Sequence, residues 1–225
     1  MRSFNCLIFI LLYSINIHAQ TIIKQFSSDS VTNYLKNAAE VTNKLMPTEY
    51  ASVIKLALMY YPELAHTHIK IRVKKQPSPL TARPSVWAMF QQPAKRKYLI
   101  TISNKVAPQF SAILLSNLSF NAQVGVIGHE LSHVVDYNNQ KGRYFIKLLA
   151  MQLNSKAINK FEYATDMRCI AHGLGYQLLA WSTEVRLKLN LVQWKGIKEL
   201  NKPGNERYMN PESIKRAMVE SKMHN

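Results

Sequence analysis

Residues 129–133 read His-Glu-Leu-Ser-His, two histidines four apart with a glutamate directly after the first. They lie in a stretch whose apolar positions (Ala122, Val124, Val126, Ile127, Leu131, Val134 and Val135) have helical spacing. Ser119 is the expected N-cap, and Asn138, Asn139 and Gly142 the polar break that closes the helix. Residues four apart stand one above the other on a helix face, so both imidazoles point to one place. Two such imidazoles can grip a zinc ion at about 2.0–2.1 Å from each nitrogen. Glu130 stands one residue on, beside the ion and not on it. There a carboxylate can take a proton from a water and pass it to a leaving amine. The plain alternative is a helix that carries two surface histidines, and the apolar context weighs against it.

The third ligand decides the class of site. A histidine six residues past His133, with a glycine three past it, would give the metzincin arrangement. Those positions hold Asn139 and Asp136, which excludes it. The other common choice is a glutamate on the next long helix, and Phe161-Glu162-Tyr163-Ala164-Thr165-Asp166 supplies one. The spacing of Glu162 and Asp166 puts both carboxylates on one face. Glu162 then completes a His₂Glu set with a fourth position open. Asp166 is placed to hydrogen-bond a ligand histidine from behind and fix its ring. Read otherwise, the pair is an exposed helix face.

The rest of the chain predicts an α+β fold in one domain. Val31, Tyr34, Leu35, Ala38, Ala39, Leu45 and Met46 are spaced as one helix ended by Pro47. Thr48 is the expected cap of a second helix that reaches Tyr61 and ends at Pro62. Three extended stretches follow, His68–Val73, Ser85–Phe90 and Lys97–Ser103, punctuated by Pro77, Pro79, Pro84 and Pro93. The first and third alternate apolar and polar residues, as half-buried strands do, and predict a small antiparallel or mixed sheet. A helix over about 144–171, another over 176–191 and a short one after Pro211 complete the order. His172 reads as a helix-end histidine more readily than as a further ligand, Asp136 as a ligand orienter or a helix-end polar group, and Cys169 as core. Trp87, Tyr98, Trp181 and Trp194 read as packing.

The segment MRSFNCLIFILLYSINIHAQ has a basic start, a short apolar run and a small residue at Ala19. It predicts a secretory signal over residues 1–19, and hence an exported chain, periplasmic or secreted. Residues 20–225 then form the domain, with 20–66 as N-terminal helices and 67–225 as the core that carries the motif. Cys169 would be the one remaining thiol, which leaves no internal disulfide. No later segment is long and apolar enough to span a bilayer. The 225 residues carry 29 Lys and Arg against 13 Asp and Glu, a net charge of +16. These cations form no long run, so the first expectation is that they solvate helix faces. Weak association with an anionic surface is the second.

His-Glu-Leu-Ser-His followed by Glu-x-x-x-Asp downstream resembles the gluzincin metallopeptidases. Within them the pattern is similar to the family that holds the heat-shock protease HtpX, the CAAX prenyl endopeptidase and the BepA-type periplasmic proteases. A third match has the frame of that family's His-Pro-x-x-x-x-Arg: Asn210-Pro211-Glu212-Ser213-Ile214-Lys215-Arg216. The resemblance covers roughly residues 85–216. It implies a zincin-like domain and one zinc ion held by His129, His133 and Glu162. It also implies Glu130 as the catalytic carboxylate and exported or envelope polypeptides as substrates, with no specific nucleic acid. Two positions depart from the family: Thr165, where alanine is frequent, and Asn210, where a histidine lies by the metal. Asparagine is a poor zinc ligand but can donate a hydrogen bond. Tyr208, Asn210 and Arg207 are therefore the candidates for steadying a developing oxyanion. A chain that keeps zinc but hydrolyses little, a chaperone-like binding protein, is the alternative.

Overall fold

The computed structural model describes residues 21–36, 38, 40–85, 87, 91–92, 95–140, 144, 148, 150–151, 153–191 and 207–221. The predicted signal segment and Trp194 lie outside the described residues, as does most of the predicted strand Ser85–Phe90.

The architecture is α+β. Strands β1 (Lys44–Leu45), β2 (His68–Val73), β3 (Leu80–Pro84) and β4 (Lys97–Ile102) form one sheet in the order β1-β2-β4-β3. The sheet is mixed. β1, β2 and β4 run parallel, in the register Lys44↔Ile69 and His68↔Lys97, while β3 is antiparallel to β4, in the register Leu80↔Ile102. Period-two burial follows from the pleat: Ile69, Ile71, Leu80, Tyr98, Ile100 and Ile102 face the core, while His68, Lys70, Arg83 and Lys97 face away. β4 lies between β2 and β3, so it has no free edge. Among the described residues the edge strands are β1 and β3, and β3, Leu-Thr-Ala-Arg-Pro, has no alternation to read in the sequence.

The helices are α1 (Val31–Leu35), α2 (Ala51–Leu58), α3 (Phe120–Asn139), α4 (Ser155–Cys169), α5 (Gly175–Lys188) and α6 (Pro211–Glu220). The predicted helix over Val31–Met46 is cut short. Asn43 takes a left-handed backbone (φ 59°), and Lys44–Leu45 then pairs with β2. The Lys44 ammonium donates to the carbonyls of Thr42, Ala65 and Thr67 at 2.7, 3.0 and 2.7 Å. Burial pulls its pKa down to about 8. Thr48 opens a 3-10 turn, Thr48–Tyr50, and makes no side-chain cap. The helix expected from 144 is interrupted at Asn154, whose side-chain oxygen accepts from the N–H groups of Lys156 and Ala157 and starts α4 afresh. Trp87, expected in the core, is 80% exposed.

α3 is the central element. Ser119 caps it through Ala122 N–H, and it is buried almost continuously from Ala122 to Tyr137. It packs on α2, α4, α5 and β3. The buried Tyr61 hydroxyl donates to Gly128 O at 2.7 Å and meets Ser132 Oγ at 2.8 Å, so it grips α3 on either side of the first histidine. Gly125 lets α5 approach: a Cβ there would collide with the carbonyl of Gln177. Gly173 (φ 90°) makes the kink between α4 and α5. Gly125→Ala is accordingly expected to cost about 1–3 kcal/mol as α5 is pushed off α3, measured as a lower midpoint in urea. No helix among the described residues is long and apolar enough to cross a membrane.

Candidate metal centre

α3 and α4 bring together His129, His133 and Glu162, whose ligand atoms all lie within 4.8 Å of one another. Glu162 Oε2 is 3.2 Å from His129 Nε2 and 3.2 Å from His133 Nε2. Donors about 2.0–2.2 Å from a tetrahedral zinc stand roughly 3.3–3.5 Å from each other, so the spacing suits three ligands of one ion.

The far side of each ring decides what Nε2 can do. His129 Nδ1 lies 2.7 Å from Asp166 Oδ1, and an ionised carboxylate only accepts. His133 Nδ1 lies 3.3 Å from Thr165 Oγ1, whose own proton goes to Phe161 O at 3.0 Å. Thr165 therefore accepts as well. With both Nδ1 atoms donating, the neutral rings turn Nε2 lone pairs toward Glu162. Two lone pairs and a carboxylate oxygen repel one another unless a cation sits among them. In its absence a proton takes that place. Burial works against a charged His129, but Asp166 and Glu162 outweigh it and hold its pKa well above the histidine range. Burial likewise opposes a charged Glu162, and the two imidazoles beside it outweigh this and hold its carboxyl well below its usual range.

No family model matches this chain, and no curated protein or solved structure does.

Glu130 is buried beside the cluster, and its Oε2 has no hydrogen-bond partner. Burial raises its pKa, the two histidines pull it down, and a backbone contact from Ala82 of β3 also lowers it. Aromatic rings wall the site. Tyr137 stacks on His133 at 5.9 Å and Phe161 lies 5.0 Å from it, while Trp181 and Tyr208 lie 5.5 and 5.6 Å from His129.

Asp166 reaches in two directions. Its Oδ1 holds His129, and its Oδ2 accepts from Met209 N–H at 2.7 Å. Ser182 Oγ donates to Met209 O at 2.7 Å, so α4 and α5 together fix the strap 207–210 beside the cluster. This strap carries Tyr208 to His129. Partial burial and the neighbouring carboxylates raise the pKa of the Tyr208 phenol above its ordinary value, so it is protonated at neutral pH. Asn210 Oδ1 accepts from Ser213 N–H at 2.9 Å and caps α6, which is what asparagine at that position does here. Arg207 Nε donates to Asn159 Oδ1 at 3.4 Å. Of the three oxyanion candidates, Tyr208 is the one whose ring lies against His129.

The remaining expectations find other roles. His172 bonds Arg168 O and Glu63 Oε1, both at 2.7 Å, and stacks on Tyr61. Asp136 pairs with Arg168 and accepts from Tyr144 OH, and so orients no histidine. Cys169 is fully buried, and burial pushes its thiol up. The roles of Thr165 and Met209 were not visible in the sequence, because both act through pairings distant along the chain. Asp166→Asn can present an N–H₂ to His129 and force the wrong tautomer. If His129, His133 and Glu162 hold zinc, the exchange is expected to weaken its binding about 10–100-fold, measured by competition with a chromogenic chelator.

Proposed function

We propose that the chain is a zinc-dependent endopeptidase of the gluzincin kind. His129, His133 and Glu162 are its ligands and Glu130 its general base and acid, in a zincin-like domain. The observation that carries the reading is the convergence of two Nε2 atoms on Glu162 Oε2, with an unpartnered carboxylate oxygen of Glu130 buried beside them. Zinc, when bound, would polarise a substrate carbonyl and bring the pKa of a water down to about 7.

The chain's own groups do the rest. Asp166 and Thr165 keep Nδ1–H of each histidine engaged and Nε2 free to bind the ion. Glu130 accepts the proton of the attacking water and returns it to the leaving amine, and its raised pKa suits both steps. Tyr208 stays a phenol and so is available to donate to the carbonyl oxygen as charge builds there.

The free edge of β3 offers a track for the substrate. Ser103 N–H bonds Pro79 O and Ser85 N–H bonds Lys97 O, so odd-numbered residues of this stretch turn their backbone groups toward β4. Leu80 and Ala82 turn theirs outward, and Ala82 is next to Glu130. An extended polypeptide added along this edge would lay a peptide bond by the carboxylate. Exported or envelope polypeptides are the substrates that the N-terminal segment and the family resemblance support.

The test is zinc content and hydrolysis of an unstructured casein, with and without chelator. Near-stoichiometric zinc and chelator-sensitive cleavage are expected. Zinc without cleavage would favour a zinc-holding binding protein, and failure to take up zinc would remove the reading.

A further inference from the structure

Between Glu63 and Glu130 the sequence contains no Asp or Glu, yet it contains Lys70, Arg72, Arg83 and Lys97. The fold gathers these onto one surface. β2, β3 and β4 all come from this acid-free stretch, and the four cations share the sheet face that points away from the core. Register sets their order. His68 lies beside Lys97 in one row, and the next row reads Leu45, Lys70, Leu99, Arg83 across all four strands. Strands are about 4.8 Å apart, so Lys70 and Arg83 stand roughly 10 Å from each other with Leu99 between them.

None of these cations makes an ion pair with any described residue, and the buried Nε of Arg72 has no hydrogen-bond partner. The acidic residues nearest in sequence are engaged elsewhere, Glu63 with His172 and Glu130 behind the sheet at the metal centre. A charged face without counter-charges creates a field that attracts polyanions.

We infer that this outer sheet face binds the surface of a bilayer rich in anionic phospholipid. The chemistry favours a bilayer over nucleic acid. Leu45, 65% exposed, and the partly buried Leu99 alternate with the cations in the central row. Apolar side chains among lysines and arginines suit the boundary of headgroup and acyl chain. No Phe, Tyr or Trp occurs among the face residues of the four strands to stack on bases. The inference stands whether or not the metal centre hydrolyses peptides. If it does, the free edge of β3 lies beside the lipid surface.

The experiment is vesicle flotation of the full chain with phosphatidylcholine alone and with an equal part of phosphatidylglycerol. Three proteins are compared: the unaltered chain, Lys70→Glu/Arg83→Glu/Lys97→Glu, and Lys55→Glu/Lys156→Glu/Lys160→Glu, which changes the net charge equally at exposed positions elsewhere. Each cation near an anionic surface is worth about a factor of five in binding, so the face variant should bind on the order of a hundred-fold more weakly. The helix variant should bind almost as the unaltered chain does. The excess of binding to anionic over neutral vesicles should vanish at about 1 M salt, where the screening length is about 3 Å. All three proteins carry the apolar N-terminal segment, so its own affinity for lipid cancels. Circular dichroism melts establish that the face variant is folded; if it is not, Lys70→Gln/Lys97→Gln replaces it. Equal loss in both variants would reduce the effect to net charge and overturn the inference. So would equal binding to neutral vesicles, or no binding to either. Face-dependent binding to a short duplex DNA in place of vesicles would overturn it in favour of nucleic acid.

Discussion

Glu130→Gln is expected to slow peptide hydrolysis by about 10²–10⁴-fold while zinc content and fold stay as they are. Glutamine fills the same space but cannot accept a proton at neutral pH. The exchange breaks no hydrogen bond at Oε2, which has no partner, and Glu130 is not among the three converging ligand atoms. Burial already penalises the charged carboxylate, so the neutral amide should leave the melting temperature unchanged or raise it. The loss should fall on kcat with KM little changed, because the proton transfer belongs to the transition state. Steady-state kinetics, metal analysis and a thermal melt on one preparation separate these effects. A variant that keeps activity within about ten-fold of the parent would place the base elsewhere.

The elements that could be read from the sequence are those whose periodicity and ends agree. α3 has a helical apolar stripe, a serine cap that the structure uses and a polar end, so its bounds and both histidines followed directly. β2 and β4 alternate at period two and lie where that pattern put them, β4 ending one residue early. The elements missed are those held by partners far along the chain. β1 is two residues long and exists through its pairing with β2, and the helical spacing around it misled because Asn43 turns the backbone first. β3 takes its form from the register with β4 and its place against α3.

The candidate site divides in the same way. His129, His133, Glu162 and Asp166 converge because each pair lies four apart on one helix. Thr165, which departs from the pattern the chain resembles, bonds His133, and Asn210 caps a helix. Neither use follows from spacing alone. Scattered cations became a single face only when the strand register was known.

Removing Glu162 from the cluster should have the larger effect on metal. A structural zinc site binds with roughly 10–16 kcal/mol spread over four ligands, so losing one protein ligand should weaken binding on the order of 10²–10³-fold for Glu162→Ala. The pH dependence then tests why the cluster exists. In the metal-free chain the raised pKa of His129 contributes stability that is complete below about pH 6.5 and is lost as pH rises through the folded value. The lowered pKa of Glu162 contributes stability present above about pH 4.3 and lost as pH falls through its folded value. The metal-free protein is thus steadiest between these limits, with a proton in the place a cation would take. Zinc needs both imidazoles neutral, so its binding strengthens as that proton leaves. The gap in melting temperature between zinc-loaded and chelated protein should therefore widen from about pH 6 to about pH 8. In Glu162→Ala the gap should be small at both. A gap that narrows with pH in the unaltered chain would mean that protons and metal do not compete for these nitrogens, and the ligand assignment would fall with it.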